Sequence, residues 1–134
     1  LEPTKIYVKP LLELMREVKV KAAVHITGDA YMKFNNLAKY SPGIGFKFNC
    51  FKPQPIFGLL QKTASELGYT VTDEEMFKTF NMGWGFGVIV DKKDGQKALD
   101  LLARFDVAPH VIGEVTDKER VVEVEYRNKH MILS

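Results

Sequence analysis

Between Pro55 and Gly68 the apolar residues Ile56, Phe57, Leu59, Leu60, Ala64 and Leu67 recur at intervals of three and four, the spacing that lines one face of a helix. Proline in a first helical turn sacrifices no hydrogen bond, and glycine just beyond the last apolar position is a common stop. Elsewhere the helical period returns only in pieces. Pro10 opens a run containing Leu11, Leu12, Leu14, Met15 and Val18; residues 31–40 follow a Thr27-Gly28 start; and residues 94–105 carry Ala98, Leu99, Leu101, Leu102 and Phe105 on one broad face. Thr72 stands three residues before Glu75 in a capping-box pattern, which predicts a short helix running towards Phe80. Between these lie short β-branched or alternating runs at 20–26, 44–51, 83–91, 110–115 and 121–126. Such alternation excludes a helical bundle and predicts an α+β or mixed α/β domain, a mixed sheet flanked by helices. Asp117-Lys118-Glu119 suits a hairpin turn between the last two strands, and the residues from Arg127 onward read as a tail.

Length and charge narrow the function classes. At 134 residues and 46% apolar content the chain suffices for one packed core, so a single domain over 1–134 is expected. Nineteen basic against seventeen acidic residues give a net charge of +2 with no basic stripe, which excludes nucleic acid as a partner. Apolar runs such as Val88-Ile89-Val90 fall far short of the roughly 20 residues a membrane helix needs, and the first residues lack a signal-peptide core, so no membrane partner and a cytoplasmic location are expected. Cys50, the one cysteine, has no partner for an internal disulfide and reads as a buried small hydrophobe.

Two segments combine polar groups, glycines and the ends of regular elements, where backbone N–H groups can hold an anion. They are His25-Ile26-Thr27-Gly28-Asp29-Ala30 and Phe80-Asn81-Met82-Gly83-Trp84-Gly85-Phe86-Gly87. Residues two apart on a strand point together, so His25 and Thr27 are expected on one face, with the following helix aiming its free N–H groups at the same spot. The plainer alternatives are a half-buried His25 bonded to a carbonyl, a Thr27 that merely caps a helix, and glycines that make room for Trp84 and Phe86. Val88 breaks the G-x-G-x-x-G dinucleotide fingerprint, and neither a P-loop nor a G-x-S-x-G elbow occurs. Asp73, Glu74 and Glu75 read as a solvated first helical turn, and His110 and His130 have no zinc-ligand spacing.

His25-Ile26-Thr27-Gly28 and Phe80-Asn81-Met82-Gly83-Trp84-Gly85 closely resemble the paired signatures of the C-terminal domain of the aminoimidazole ribonucleotide synthetase (phosphoribosylformylglycinamidine cyclo-ligase, PurM) family. Pro3-Thr4-Lys5-Ile6-Tyr7-Val8-Lys9-Pro10 resembles that family's interdomain segment, which makes residues 1–10 a junction. Pro55-Ile56-Phe57 with Leu60-Gln61 resembles its central helix, and Ile112-Gly113-Glu114-Val115 its late strand, so ordered matches run from residue 3 to about 126. The resemblance implies a partly ferredoxin-like fold and an ATP-dependent ring closure of formylglycinamidine ribonucleotide in purine synthesis. It further implies that ATP and Mg2+ are held mainly by an N-terminal domain absent from these residues, that the complete protein is a homodimer, and that the isolated piece is inactive. Substrate-binding roles then fall to His25, Thr27, Gly28, Asn81, Gly83 and Gly85, with His25 a candidate catalytic group. Where the family continues with two further glycines this sequence has Asp29 and Ala30. Asp29 then points away as a helix cap, or reaches a magnesium ion or a cationic substrate group, or marks a site that has drifted. A non-catalytic small-molecule-binding or dimerisation module of the same fold is the alternative function.

Overall fold

The computed structural model describes residues 3–49 and 52–133, so the expectation for Cys50 lies outside the described residues. Where the sequence suggested one packed core, these residues divide into two compact units, residues 1–25 with 85–111 and residues 26–84 with 112–134.

The first unit holds helix α1 (Val8–Glu17), strand β1 (Ala22–His25), strand β3 (Phe86–Ile89) and helix α4 (Gly95–Leu102). β1 and β3 pair antiparallel, with Ala22 opposite Ile89 and His25 opposite Phe86. The helical spacing of α1 buries Leu14, and Val18 just past its end, against Ala98 and Leu101 of α4; Val20, Val88, Val90, Leu102 and Phe105 close the cluster. Since fully burying an aliphatic side chain contributes about 1.5–3 kcal/mol, this small cluster is what holds α1 and α4 onto the ribbon.

In the second unit a four-stranded sheet runs in the order β4-β2-β5-β6, formed by β2 (Gly45–Phe48), β4 (Gly113–Thr116), β5 (Val122–Tyr126) and β6 (Lys129–Leu133). β2 lies antiparallel to β4 and parallel to β5, which gives the mixed sheet of an α+β fold. Alternation sends Phe46, Phe48, Val122 and Val124 to a buried face, where Phe34 and Tyr31 of a 3-10 helix (Ala30–Lys39) and Phe77 of α3 (Asp73–Thr79) meet them. The rings interlock, with Tyr31 5.0 Å from Phe48 and 5.6 Å from Phe77, and Phe34 4.9 Å from Phe48. Such aromatic pairs favour edge and tilted packing. The segment expected to be an ordinary helix from Tyr31 is thus wound more tightly, with i to i+3 bonds at both ends, Met32 N to Asp29 O and Tyr40 N to Leu37 O. α3 is capped as the sequence requires: Thr72 Oγ1 accepts from Glu75 N, and Glu75 reaches back to Thr72 N.

Two expectations need correction here. Asp117-Lys118-Glu119 does not turn a hairpin, because β2 lies between β4 and β5. The link passes over Gly45, where any Cβ would strike the carbonyl oxygens of Lys118 and Val121. Where a tail was expected over 127–134, the described residues 127–133 form structure: Arg127 and Asn128, both at positive φ, turn the chain into β6, whose Leu133 is buried. Helix α2 (Pro55–Glu66) forms where its period places it, yet none of its residues is buried, and Ile56, Leu59 and Leu60 face outward.

The sheet's other face is a charge ladder. Lys47 pairs with Glu125 at 2.8 Å, while Glu123, only 4% exposed, accepts from Lys118 Nζ at 2.6 Å and stands 3.3 Å from His130 Nε2. The Lys118 hydrogen bond holds the Glu123 carboxyl below its ordinary value of 4.5 against the opposing cost of desolvation; the Lys118 and His130 charges help. A folded-state value lower than the unfolded one gives stability that is complete above that ordinary value and drains away as pH falls through the depressed one. Urea unfolding across the acid range should therefore show Glu123→Gln losing less stability on acidification than the parent; parallel curves would remove the carboxylate from this role.

Candidate functional site

The boundary between the two units falls inside both glycine-bearing segments. His25 and Gly85 belong to the first unit, and Thr27, Gly28, Asp29, Asn81 and Gly83 to the second.

In the first unit the β1–β3 ladder ends with His25 opposite Phe86, which brings the histidine of one segment beside the glycine end of the other. Tyr7, immediately before α1, packs on both: its ring lies 6.2 Å from the His25 ring, edge-on, and 5.0 Å from Phe86. A methyl at Gly85 would overlap the Tyr7 hydroxyl, so glycine is needed there for close approach. The His25 side chain is exposed and makes no hydrogen bond among the described residues; the plainer expectation of a half-buried, carbonyl-bonded histidine does not hold. Sequence reading missed Tyr7, whose place against both motifs depends on tertiary packing.

In the second unit the chain turns sharply after Thr27. Asp29 (φ 63) and Ala30 (φ 38) both adopt left-handed conformations ahead of the 3-10 helix. Asp29 occupies the N-cap position, but its side chain makes no capping bond, so the reading of Asp29 as a cap is corrected: a left-handed backbone does not present the carboxylate to the first N–H groups. Thr27 is not a cap either. Its carbonyl accepts from Ala30 N at 2.8 Å and its hydroxyl accepts from Lys33 Nζ. β1 stops at His25, so the strand that would have aligned His25 with Thr27 does not reach Thr27. Gly28 is exposed, and a Cβ there would meet nothing within 4 Å, which leaves its backbone open to a ligand.

The partner loop is built on Asn81. Its Oδ1 accepts from Gly83 N at 3.0 Å, and its carbonyl accepts from Trp84 N at 3.0 Å and from the Tyr31 hydroxyl at 2.7 Å. The Asn81 amide nitrogen makes no hydrogen bond among the described residues and remains a donor for a ligand. Met82 (φ 53) and Gly83 (φ 105) complete the turn with the Met82 side chain buried. Tyr31 is wholly buried, and burial pushes its phenol well above the ordinary 10, so it remains a neutral donor.

The remaining candidates resolve as structure. Asp73 takes Gln61 at 3.0 Å and lies 3.4 Å from Arg127 and 3.6 Å from Lys129; Glu74 pairs with Lys78; Glu75 serves the cap. His130, expected in a tail, sits on β6 against Glu123. Among the described residues no group of three or more His, Cys, Asp or Glu side chains could hold a metal ion. No described helix is long and apolar enough to cross a membrane.

The fold is of the α+β class, with the His25 side chain in the first unit and the Asn81 amide in the second each carried on a glycine-bearing segment. The family model described as "AIR synthase related protein, C-terminal domain" matches residues 1–125, and the chain belongs to that family. It is 43% identical over 99% of its length to a phosphoribosylformylglycinamidine cyclo-ligase of Methanococcus maripaludis (strain C5 / ATCC BAA-1333), of which it covers 38%. Like-named proteins of Methanocaldococcus jannaschii (40% identity, 99% of this chain, 39% of the relative) and Pyrococcus furiosus (36% identity, 94% of this chain, 34% of the relative) also match. The chain thus spans well under half the length of the curated relatives it matches.

Two substitutions test the local geometry. Tyr31→Phe removes a buried donor while Asn81 O keeps Trp84 N, so chemical denaturation should show a loss of about 0.5–1.5 kcal/mol; no loss would mean that the bond contributes nothing. Gly85→Ala should cost about 1–3 kcal/mol by overpacking, and adding Tyr7→Phe should recover part of it, since the hydroxyl is the overlapping group. Full additivity of the two would deny that contact.

Proposed function

We propose that this chain is the C-terminal half of an ATP-dependent cyclo-ligase that converts formylglycinamidine ribonucleotide to aminoimidazole ribonucleotide in purine synthesis, supplying one wall of the substrate cleft. The observation that carries the reading is the match of nearly the whole chain, at up to 43% identity, to proteins named for that reaction. The local geometry supports it, because the two matched motifs hold an exposed His25 side chain, an Asn81 amide nitrogen with no partner among the described residues and an open backbone at Gly28.

A formyl oxygen is a poor leaving group; ATP, bound with Mg2+ chiefly by the companion N-terminal half, supplies the phosphoryl group that makes it a good one. This chain's residues bind and orient. The Asn81 amide donates to a substrate oxygen, the backbone at Gly28 and Gly83 lets the substrate approach closely, and Thr27 holds Lys33 beside it. The exposure of His25 at the end of β1 supports a role for it in holding or passing a proton as the amidine nitrogen attacks. Gly85 serves by admitting Tyr7 against His25. The outward apolar residues Ile56, Leu59, Leu60 and Leu67 support a chain that works within a larger assembly, as a homodimer in the complete protein. A cytoplasmic setting accords with a nucleotide-synthesis role.

The sharpest test is Asn81→Asp in the complete cyclo-ligase that carries this domain. Asp keeps the oxygen that accepts from Gly83 N and removes only the amide donor, so stability should stay nearly constant while kcat/KM falls on the order of a hundredfold. Unchanged turnover would remove Asn81 from the site. Absence of turnover in the unmutated complete protein would sink the assignment and favour a non-catalytic module.

A further inference from the structure

The second unit contains an open cleft of about 390 Å3 lined by Asp29, Met32, Lys33, Asn36 and Lys78. The first four recur at helical spacing from the left-handed turn along the outward side of the 3-10 helix, whose opposite side buries Tyr31 and Phe34; Lys78 comes from α3. The lining carries both signs of charge, yet its opposite charges do not pair with each other. Lys33 Nζ donates to Thr27 Oγ1, and Lys78 Nζ lies 2.7 Å from Glu74 on its own helix. The Asp29 carboxylate makes no hydrogen bond or ion pair among the described residues. It is held there by a residue at φ 63, followed by another at φ 38, conformations that cost non-glycine side chains free energy and that persist where the surrounding structure imposes them.

The Asp29 carboxylate and two ammonium groups line one cleft together with Asn36 and Met32, a lining that complements a ligand that is itself dipolar. We propose that this cleft binds the ribonucleotide by its two charged ends, the Asp29 carboxylate receiving a protonated amidine and Lys33 and Lys78 receiving the phosphate. Amidinium and carboxylate meet through paired N–H···O bonds, and ammonium groups bind phosphate as point charges. The inference rests on the cyclo-ligase reading, since a phosphoribosyl group and an amidine are both part of the relatives' printed name. It assigns a purpose to the Asp29 carboxylate and places the phosphate on the two lysines of the same cleft.

Each end is tested separately on the 134-residue chain by 15N-resolved titration, using ribose 5-phosphate for one end and acetamidine for the other. Ribose 5-phosphate should shift the amides of Lys33, Asn36 and Lys78 with affinity on the order of millimolar, and Lys33→Gln with Lys78→Gln should weaken it on the order of tenfold. Acetamidine should shift Asp29 and its neighbours, and Asp29→Asn, which tolerates the same backbone, should abolish that response. Shifts confined to other residues, or affinities unchanged in the variants, overturn the inference. In the complete enzyme the same variants should raise KM for formylglycinamidine ribonucleotide on the order of tenfold, with kcat changed much less. Turnover with an unaltered KM overturns the cleft and leaves the cyclo-ligase reading intact. Probe binding at the cleft in a complete protein that never turns the ribonucleotide over overturns the cyclo-ligase reading and leaves a site for dipolar phosphates.

Discussion

The hydrogen bond from the buried Tyr31 hydroxyl to the Asn81 carbonyl is the interaction on which the site in the second unit depends. A phenol with no exposed surface must find an acceptor, or folding pays its full desolvation. Here the acceptor is the backbone of a turn fifty residues away in sequence. One bond therefore fastens the start of the 3-10 helix, and with it the Thr27–Ala30 turn, to the Asn81–Trp84 turn. The packing of Tyr31 against Phe34, Phe48 and Phe77 leaves the hydroxyl little freedom to seek another partner. Position is thus transmitted from an aromatic core to two polar loops through a single oxygen.

The same turn explains how a departure from the family's motif can be tolerated. The two positions at which the resembled motif would continue with glycine, Asp29 and Ala30, both have left-handed backbones here. Glycine adopts that region freely, whereas other residues do so at a cost of order 1–3 kcal/mol each. The substitution therefore keeps the backbone path and changes only the side chains. Ala30, with the smallest possible side chain, packs into the core with no exposed surface, and Asp29, a residue type enriched in this region, projects its carboxylate outward. Of the three alternatives the sequence left open for Asp29, the helix cap assumed an ordinary turn that the left-handed φ makes unusual.

Local signals were legible and non-local ones were not. The capping box at Thr72–Glu75, the amphipathic α1 and α4 and the strand positions all follow from patterns a few residues long, and each appears where those patterns place it. Strand order depends on which distant segments pair, and nothing in residues 117–121 announces that β2 will lie between their neighbours. Gly45 carries the one trace of that crossing, and its meaning is visible only once the crossing chain is seen above it. The turn at Arg127-Asn128 was hidden because its residues are not the Asn-Gly or Asp-Gly pair that usually marks two successive left-handed positions. Periodicity established that α2 is a helix but could not say what, if anything, its apolar side packs on. His25 and Asn81 were legible as candidates through the motifs, whereas Tyr7, Lys33 and Lys78 were not, because their places depend on packing.

The acidic turn of α3 and the two glycine-bearing segments differ in how far folding commits their polar groups. The acidic turn of α3 is wholly consumed: Asp73 faces Gln61, Arg127 and Lys129, Glu74 faces Lys78 and Glu75 closes the cap. Glu123 is consumed by Lys118 and His130, and half of the Asn81 side chain by Gly83. The other half of Asn81, the ring of His25 and the carboxylate of Asp29 are left over, and all three fall within the two glycine-bearing segments. An uncommitted polar group on an arbitrary surface is solvated and has no special meaning. Uncommitted groups held at fixed turns, one of them by backbone conformations that cost free energy, are prepared for a partner that the folded chain does not itself provide.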